Sequence, residues 1–158
     1  MYQKQVTEDA ADPRAAWIFD GVAETVGERF GQEGMSGGAA GLEIDRADVS
    51  LGTPRHALRV AVADKFPASY KRVGEESFHN HSAVTGLVDK NIKADVVFYE
   101  MQGGGAVFAT GSIAWAGALP PNGYDNSVAK ITSNVIKRFA EPDPFEVPAP
   151  AAVGGAKL

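Results

Sequence analysis

The stretch GGGAVFATGSIAWAGAL, residues 103–119, decides how the chain is read. Three glycines run into a strand-like segment that reaches Gly111, Ser112 and Trp115. A nucleophile elbow would need Gly-X-Ser-X-Gly around Ser112, and no such frame surrounds it. A hairpin explains the same residues. ADVVFYEM (94–101) is the best strand in the chain, and GAVFATGSIAW (105–115) answers it across QGGG, where glycine supplies the positive φ that such turns require. On this reading Ser112 satisfies backbone groups at a strand end.

Outward from the hairpin, HALRVAVADK (56–65) alternates as a strand with Leu58, Val60 and Val62 on one face. RAAWIFDGV (14–22), rich in aromatic and aliphatic residues, reads as a short buried strand. GERFGQEGMSGGAAG (27–41) reads as a glycine-dense loop; no Gly-Lys-Ser/Thr follows it, so it is not a phosphate loop. Residues 42–52 suit one helical turn or a short strand, and residues 66–92 read mostly as loop. A final helix is the clearest element. Asp125, Asn126 or Ser127 can cap it, Val128, Ile131, Val135 and Phe139 recur at helical spacing, Lys137 and Arg138 suit its C-terminal end, and Pro142 stops it. The organisation expected is an N-terminal arm (1–13), a folded segment (14–141) and a Pro/Ala/Gly tail (142–158), disordered or extended on a partner.

The chain has 158 residues, a formal net charge of −5 and no cysteine. That length fits one domain or a large piece of one. Without a basic stripe it is a poor match for nucleic acid, and without cysteine it has no disulfides or thiolate chemistry. No apolar run approaches the ~20 residues of a membrane span, so a cytoplasmic protein is expected.

Two groups carry possible chemistry. His79 and His81 in FHNHS would share a strand face and could bind a metal, with His56 the only other histidine; such a pair in a polar loop is more often solvated surface. AAGLEIDRAD (39–48) places Glu43, Asp45 and Asp48 after a glycine-rich loop, where a carboxylate can act as a general base. Acidic residues beside loops usually face solvent, so spacing alone does not choose.

Four blocks, DPRAAWIFDGV, GGAAGLEIDRAD, ADVVFYEMQGGGAVFATGSIAW and GYDNSVAKITSNVIKRFAEP, taken in order, resemble the C-terminal region of the N,N-dimethylformamidase large subunit family, covering most of residues 12–142. Residues 64–92 fit that pattern poorly. The resemblance implies an α/β fold, part of a class I glutamine-amidotransferase-like sheet with a C-terminal antiparallel hairpin and a final helix. It implies hydrolysis of dimethylformamide to dimethylamine and formate at an iron site whose tyrosine and glutamate ligands lie outside this segment; Tyr70, Tyr99 and Tyr124 do not stand in matching contexts. The partners implied are the remainder of the large subunit and a small subunit, in a hetero-oligomer. Glu43 is the one catalytic residue carried over, as base or orienting group, while Trp115 and Asn126 are expected to pack and to fix a loop. Three other readings stand beside this one: a non-catalytic assembly module of an amidotransferase-like complex, a trimerisation or sugar-binding module of related fold, and a small metal hydrolase using His79 and His81.

Overall fold

The computed structural model describes residues 2–34, 37–74 and 79–149, and of residues 72–74 and 79–84 the backbone alone. Among these described residues seven strands form: β1 (Lys4–Val6), β2 (Arg29–Phe30), β3 (Leu58–Ala63), β4 (Lys71–Gly74), β5 (His79–Thr85), β6 (Ala94–Glu100) and β7 (Ala106–Ala109). Five of them make one sheet in the order β2-β1-β3-β6-β7, every pairing antiparallel; β4 and β5 pair separately. A single helical turn, α1 (Ala114–Gly117), and the final helix, α2 (Ser127–Phe139), complete an α/β domain.

The expected hairpin is there, with Phe98 opposite Phe108. Gly103 (φ 98°) and Gly104 (φ 91°) turn the chain, and the Met101 N–H closes the loop on the Gly105 carbonyl at 2.8 Å. The second strand is shorter than expected. It stops at Ala109 because Gly111 takes a left-handed φ of 61°, after which Trp115 enters α1 instead of continuing the strand. The face assigned to Leu58, Val60 and Val62 is also broken. A bulge between Arg59 and Ala61 shifts the register, so Leu58, Val60, Ala61 and Ala63 are buried while Val62 is partly exposed.

One further expectation is corrected. Residues 14–22 do not form a strand: Ala16–Phe19 is a short 3-10 turn. Its buried residues, Ala15 and Ile18, stand three apart, the spacing of that helix, and the Trp17 indole N–H donates back to the Arg14 carbonyl. Within residues 66–92, β4 and β5 pair as a short antiparallel ribbon between loop segments. Residues 42–52 contain one 3-10 turn, Val49–Leu51, capped by Asp48.

The final helix follows its sequence signals. Asn126 is the cap: its Oδ1 accepts the Ala129 N–H at 2.9 Å, and its Nδ2 donates to the carbonyls of Leu119 and Pro121. Val128, Ile131 and Val135 are buried against Ile18, Phe30, Phe98 and Trp115 in the main core. Trp115 also donates its indole N–H to Thr132 in α2. Residues 142–149 return over the hairpin, where the Phe145 N–H meets the Gly104 carbonyl and its ring packs beside Trp17, Phe98 and Phe139. Among the described residues no helix is long and apolar enough to cross a membrane.

Three charged residues, Lys4, Asp95 and Glu100, are buried among the described residues. Glu100 is buried and gripped by both Nε and Nη2 of Arg14. Burial works against its carboxylate, but the Arg14 hydrogen bonds and charge outweigh it and hold its pKa below the usual range. Lys4, on interior strand β1, is fully buried, with Nζ donating to the Ala94 carbonyl at 2.9 Å and the Thr110 carbonyl at 3.0 Å. Burial pushes its pKa down to about 7, against the opposing attraction of Asp95.

Above that folded pKa the native chain has shed a proton that the unfolded chain keeps until ~10.4, so Lys4 makes stability rise with pH across this window, by on the order of a few kcal/mol. Urea titrations at intervals from pH 6 to 10 should show this rise in the wild-type chain and its loss in Lys4→Met. Equal pH slopes in the two proteins would refute the assignment.

Candidate functional site

The carboxylates of the GLEIDRAD segment are carried on a loop tied to the end of the sheet. Gly111 lies at the centre of that junction. Its carbonyl accepts the Asp45 N–H at 3.1 Å, and the Asp45 carbonyl accepts the Asp95 N–H at 2.9 Å. The backbones come so close that a Cβ on Gly111 would sit 2.1 Å from the Asp95 carbonyl oxygen and 2.9 Å from that of Asp45. Glycine is therefore required there by space as well as by its φ. The Asp95 side chain is buried beside the junction and accepts the Ala47 N–H through Oδ2, with Lys93 Nζ 3.4 Å from the same oxygen.

Ser112 adds the second tie. Its hydroxyl accepts the N–H groups of Gly41, at 2.8 Å, and Ala114, at 3.2 Å, and donates to the Gly41 carbonyl at 2.9 Å. Ile44 forms an isolated antiparallel bridge with Ser112, and the Ile113 N–H reaches the Glu43 carbonyl. The reading of Ser112 as a backbone-satisfying group holds; all its bonding capacity is used within this loop junction. Beneath it lies the smaller core of Ala40, Ala63, Phe66, Ile92 and Ala94, with Tyr2, Ile44 and Tyr70 packed on its edge. The Tyr70 hydroxyl accepts the N–H of Leu42, which is itself held at φ 63°. A leucine in the left-handed region costs about 1–2 kcal/mol and persists only where its surroundings fix it.

These ties set one of the three candidate carboxylates apart from the other two. Asp48 is engaged: Ser50 donates to Oδ1 through both N–H and Oγ, and Arg46 donates to Oδ2 at 2.7 Å. Those bonds, Ser50 first and then Arg46, hold its pKa at about 2, so it serves as a cap and not as a proton carrier at neutral pH. Asp45 is exposed; its backbone is part of the Gly111 junction, but its carboxylate has no hydrogen-bond or ion-pair partner among the described residues. Glu43 is exposed, and its carboxylate has no hydrogen-bond or ion-pair partner among the described residues. A free carboxylate on a rigid loop can accept a proton or bind a cation brought to it.

No three His, Asp or Glu side chains converge on a metal position among the described residues. Tyr70 is committed to Leu42, and Tyr99 packs edge-on against His56. His56 is not available to the His79 pair through Nε2, which lies 3.0 Å from the Glu100 carbonyl. His79 and His81 fall on β5, but their imidazoles, and the metal reading that rests on them, lie outside the described side chains. Two clefts among the described residues lie elsewhere: one of about 370 Å³ between Gly103–Gly105 and Phe139–Phe145, and one of about 150 Å³ beside Tyr2, Arg29 and Lys65. Neither is lined by Glu43.

Sequence reading missed the buried Lys4 and the role of Tyr70. The Lys4 position is legible only as an alternation of buried Lys4 and Val6 in KQV, which a polar stretch hides.

A family model described as "N,N-dimethylformamidase beta subunit-like, C-terminal" matches residues 1–126. The chain is 38% identical to the N,N-dimethylformamidase beta subunit of Paracoccus aminophilus over 137 residues, 86% of this chain and 18% of that protein. The corresponding protein from an Alcaligenes species is 37% identical over the same extent. The chain thus spans less than a fifth of the length of these relatives.

Ser112→Ala would leave the buried N–H and C=O of Gly41 without their partner, and a loss of about 1–3 kcal/mol in denaturant unfolding is expected. A variant within ~0.3 kcal/mol of wild type would show that the loop is held by other contacts.

Proposed function

The chain belongs to the family of C-terminal regions typified by the N,N-dimethylformamidase beta subunit, and from that premise we propose that it is the part of a dimethylformamidase-like amidohydrolase that presents Glu43 to a catalytic centre formed by the rest of the enzyme. The observation that carries this reading is the contrast within one loop. Asp48 is satisfied in place, whereas the carboxylates of Glu43 and Asp45 are both exposed and unpartnered among the described residues, and of these two the family resemblance assigns Glu43 as the base.

The reaction this supports is hydrolysis of a small amide such as dimethylformamide. A water oxygen adds to the carbonyl carbon, and the carboxylate of Glu43 takes the proton that the water loses. The C–N bond then breaks as the same proton passes to the departing dimethylamine, leaving formic acid, which loses its own proton to give formate. A tertiary amide has no N–H to donate, so it is recognised through its carbonyl oxygen and an apolar wall around the methyl groups. The iron expected for this family does not fit the described side chains, which form no ligand cluster, and its ligands are assigned to the remainder of the large subunit. In the same reading the sheet is part of a class I glutamine-amidotransferase-like domain, the assembly is completed by a small subunit, and the complex is cytoplasmic. The assembly-module reading differs in one respect: it leaves Glu43 without a chemical role.

Glu43→Gln in the complete enzyme should lower kcat for dimethylformamide by about 10²–10⁴ while leaving the fold intact. An unchanged kcat would favour the assembly module.

A further inference from the structure

Leu42 and Ile113 lie on either side of the point where Glu43 is held. Leu42 precedes it in the chain, and the Ile113 N–H bonds to the Glu43 carbonyl at 3.3 Å. Both aliphatic residues are more than half exposed, Leu42 at 63% and Ile113 at 57%. A second exposed pair, Leu87 at 72% and Val88 at 70%, follows Gly86, whose N–H donates to the Tyr70 carbonyl. Tyr70 therefore links the two pairs, since its hydroxyl holds the Leu42 N–H. Single exposed aliphatics are ordinary on a protein surface. Here, however, Leu42 and Ile113 adjoin the residue that carries an unpartnered carboxylate, and Leu42 itself is held in a sparsely populated backbone conformation.

We propose that Leu42, Ile113, Leu87 and Val88 form a docking patch for the N-terminal portion of a dimethylformamidase large subunit, the catalytic remainder invoked above. The inference rests on that reading and adds the surface and its chemistry. The occupant is argued from length: the region matched is 18% of each relative and is its C-terminal part, so about four-fifths of the relative's chain precedes or surrounds a domain of this kind. Covering the patch buries aliphatic surface and removes water from Glu43 together. A carboxylate so covered must meet a cation or a hydrogen-bond donor, because an unpaired buried charge is costly. The partner surface is thus an apolar rim around a cationic or donor-bearing centre, and docking and completion of the site are one event.

The test is binding between this chain and the preceding portion of the large subunit from the same source, produced as a separate polypeptide and measured by calorimetry or sedimentation. Leu42→Asp suits the loop, because aspartate tolerates the left-handed conformation better than leucine. Leu42→Asp and Ile113→Asp should each weaken association at least about tenfold. Ile136→Asp, at an exposed position of α2, should leave it unchanged. Circular dichroism of each variant checks that it is folded, and hydroxyl-radical labelling of the unmodified chain gives an answer that needs no variant: Leu42 and Ile113 should be protected in the complex. Wild-type affinity in folded Leu42→Asp and Ile113→Asp, unprotected Leu42 and Ile113, or no association of the wild-type chain would each overturn the proposal. Glu43→Gln separates the two readings. Normal activity of that variant with a protected patch removes the catalytic role and keeps the docking surface; an inactive variant with an unprotected patch does the reverse.

Discussion

Gly111 has no room for a side chain, and the geometry of the candidate site depends on that restriction. The carbonyl oxygens of Asp95 and Asp45 approach within 2.1 and 2.9 Å of where its Cβ would be. This close approach lets the GLEIDRAD loop bond directly to the sheet end through backbone groups, without long side chains as intermediaries. Lys4 secures the same region from below by holding the carbonyls of Ala94 and Thr110, the residues before Asp95 and Gly111. Ser112 then fixes Gly41, and Tyr70 fixes Leu42. A loop tied by backbone hydrogen bonds on both strands loses little further entropy when a partner binds it, which favours association and orientation together.

The domain divides its work between two cores. The larger one, under α2, joins the hairpin, the 3-10 turn at Ala16–Phe19 and the final helix through Phe30, Phe98, Trp115 and Ile131. It gives the sheet its rigidity and contains no candidate for chemistry outside the Arg14–Glu100 pair, whose carboxylate oxygens are both occupied. The smaller one, around Phe66, Ile92 and Ala94, supports the GLEIDRAD loop. Stability and presentation are thereby assigned to different ends of one sheet. The exposed carboxylate belongs to the end with fewer large apolar residues, where a further protein surface can contribute burial.

Elements governed by local chemistry were legible in the sequence. The 94–109 hairpin follows from alternating apolar residues joined by glycines, and α2 from its Asn126 cap and its buried Val128, Ile131 and Val135. Elements governed by tertiary contact were less so. The aromatic and aliphatic content of residues 14–22 suggests a strand, yet burial of Ala15 and Ile18 three positions apart and the Trp17 bond to Arg14 favour a 3-10 turn. The bulge at residues 59–61 reverses an alternation that the sequence shows as regular. Glu43 could not be separated from Asp48 by spacing; that separation needs the Ser50 and Arg46 bonds that occupy Asp48, while Asp45, exposed like Glu43, is set apart only by the resemblance. The resemblance of four ordered blocks anticipated the family to which the chain belongs, because those blocks include the loop, the hairpin and the helix cap that hold the site in place.

The central claim is a division of labour: this chain supplies a positioned carboxylate, and the remaining catalytic groups come from elsewhere in the enzyme. Formate release from dimethylformamide, followed with this chain alone and with it combined with the rest of the large subunit and the small subunit, tests that claim most directly. The account predicts no formate from the folded chain alone and sustained release from the combination. Turnover by the isolated chain would contradict it, because the complete catalytic machinery would then have to lie within these 158 residues.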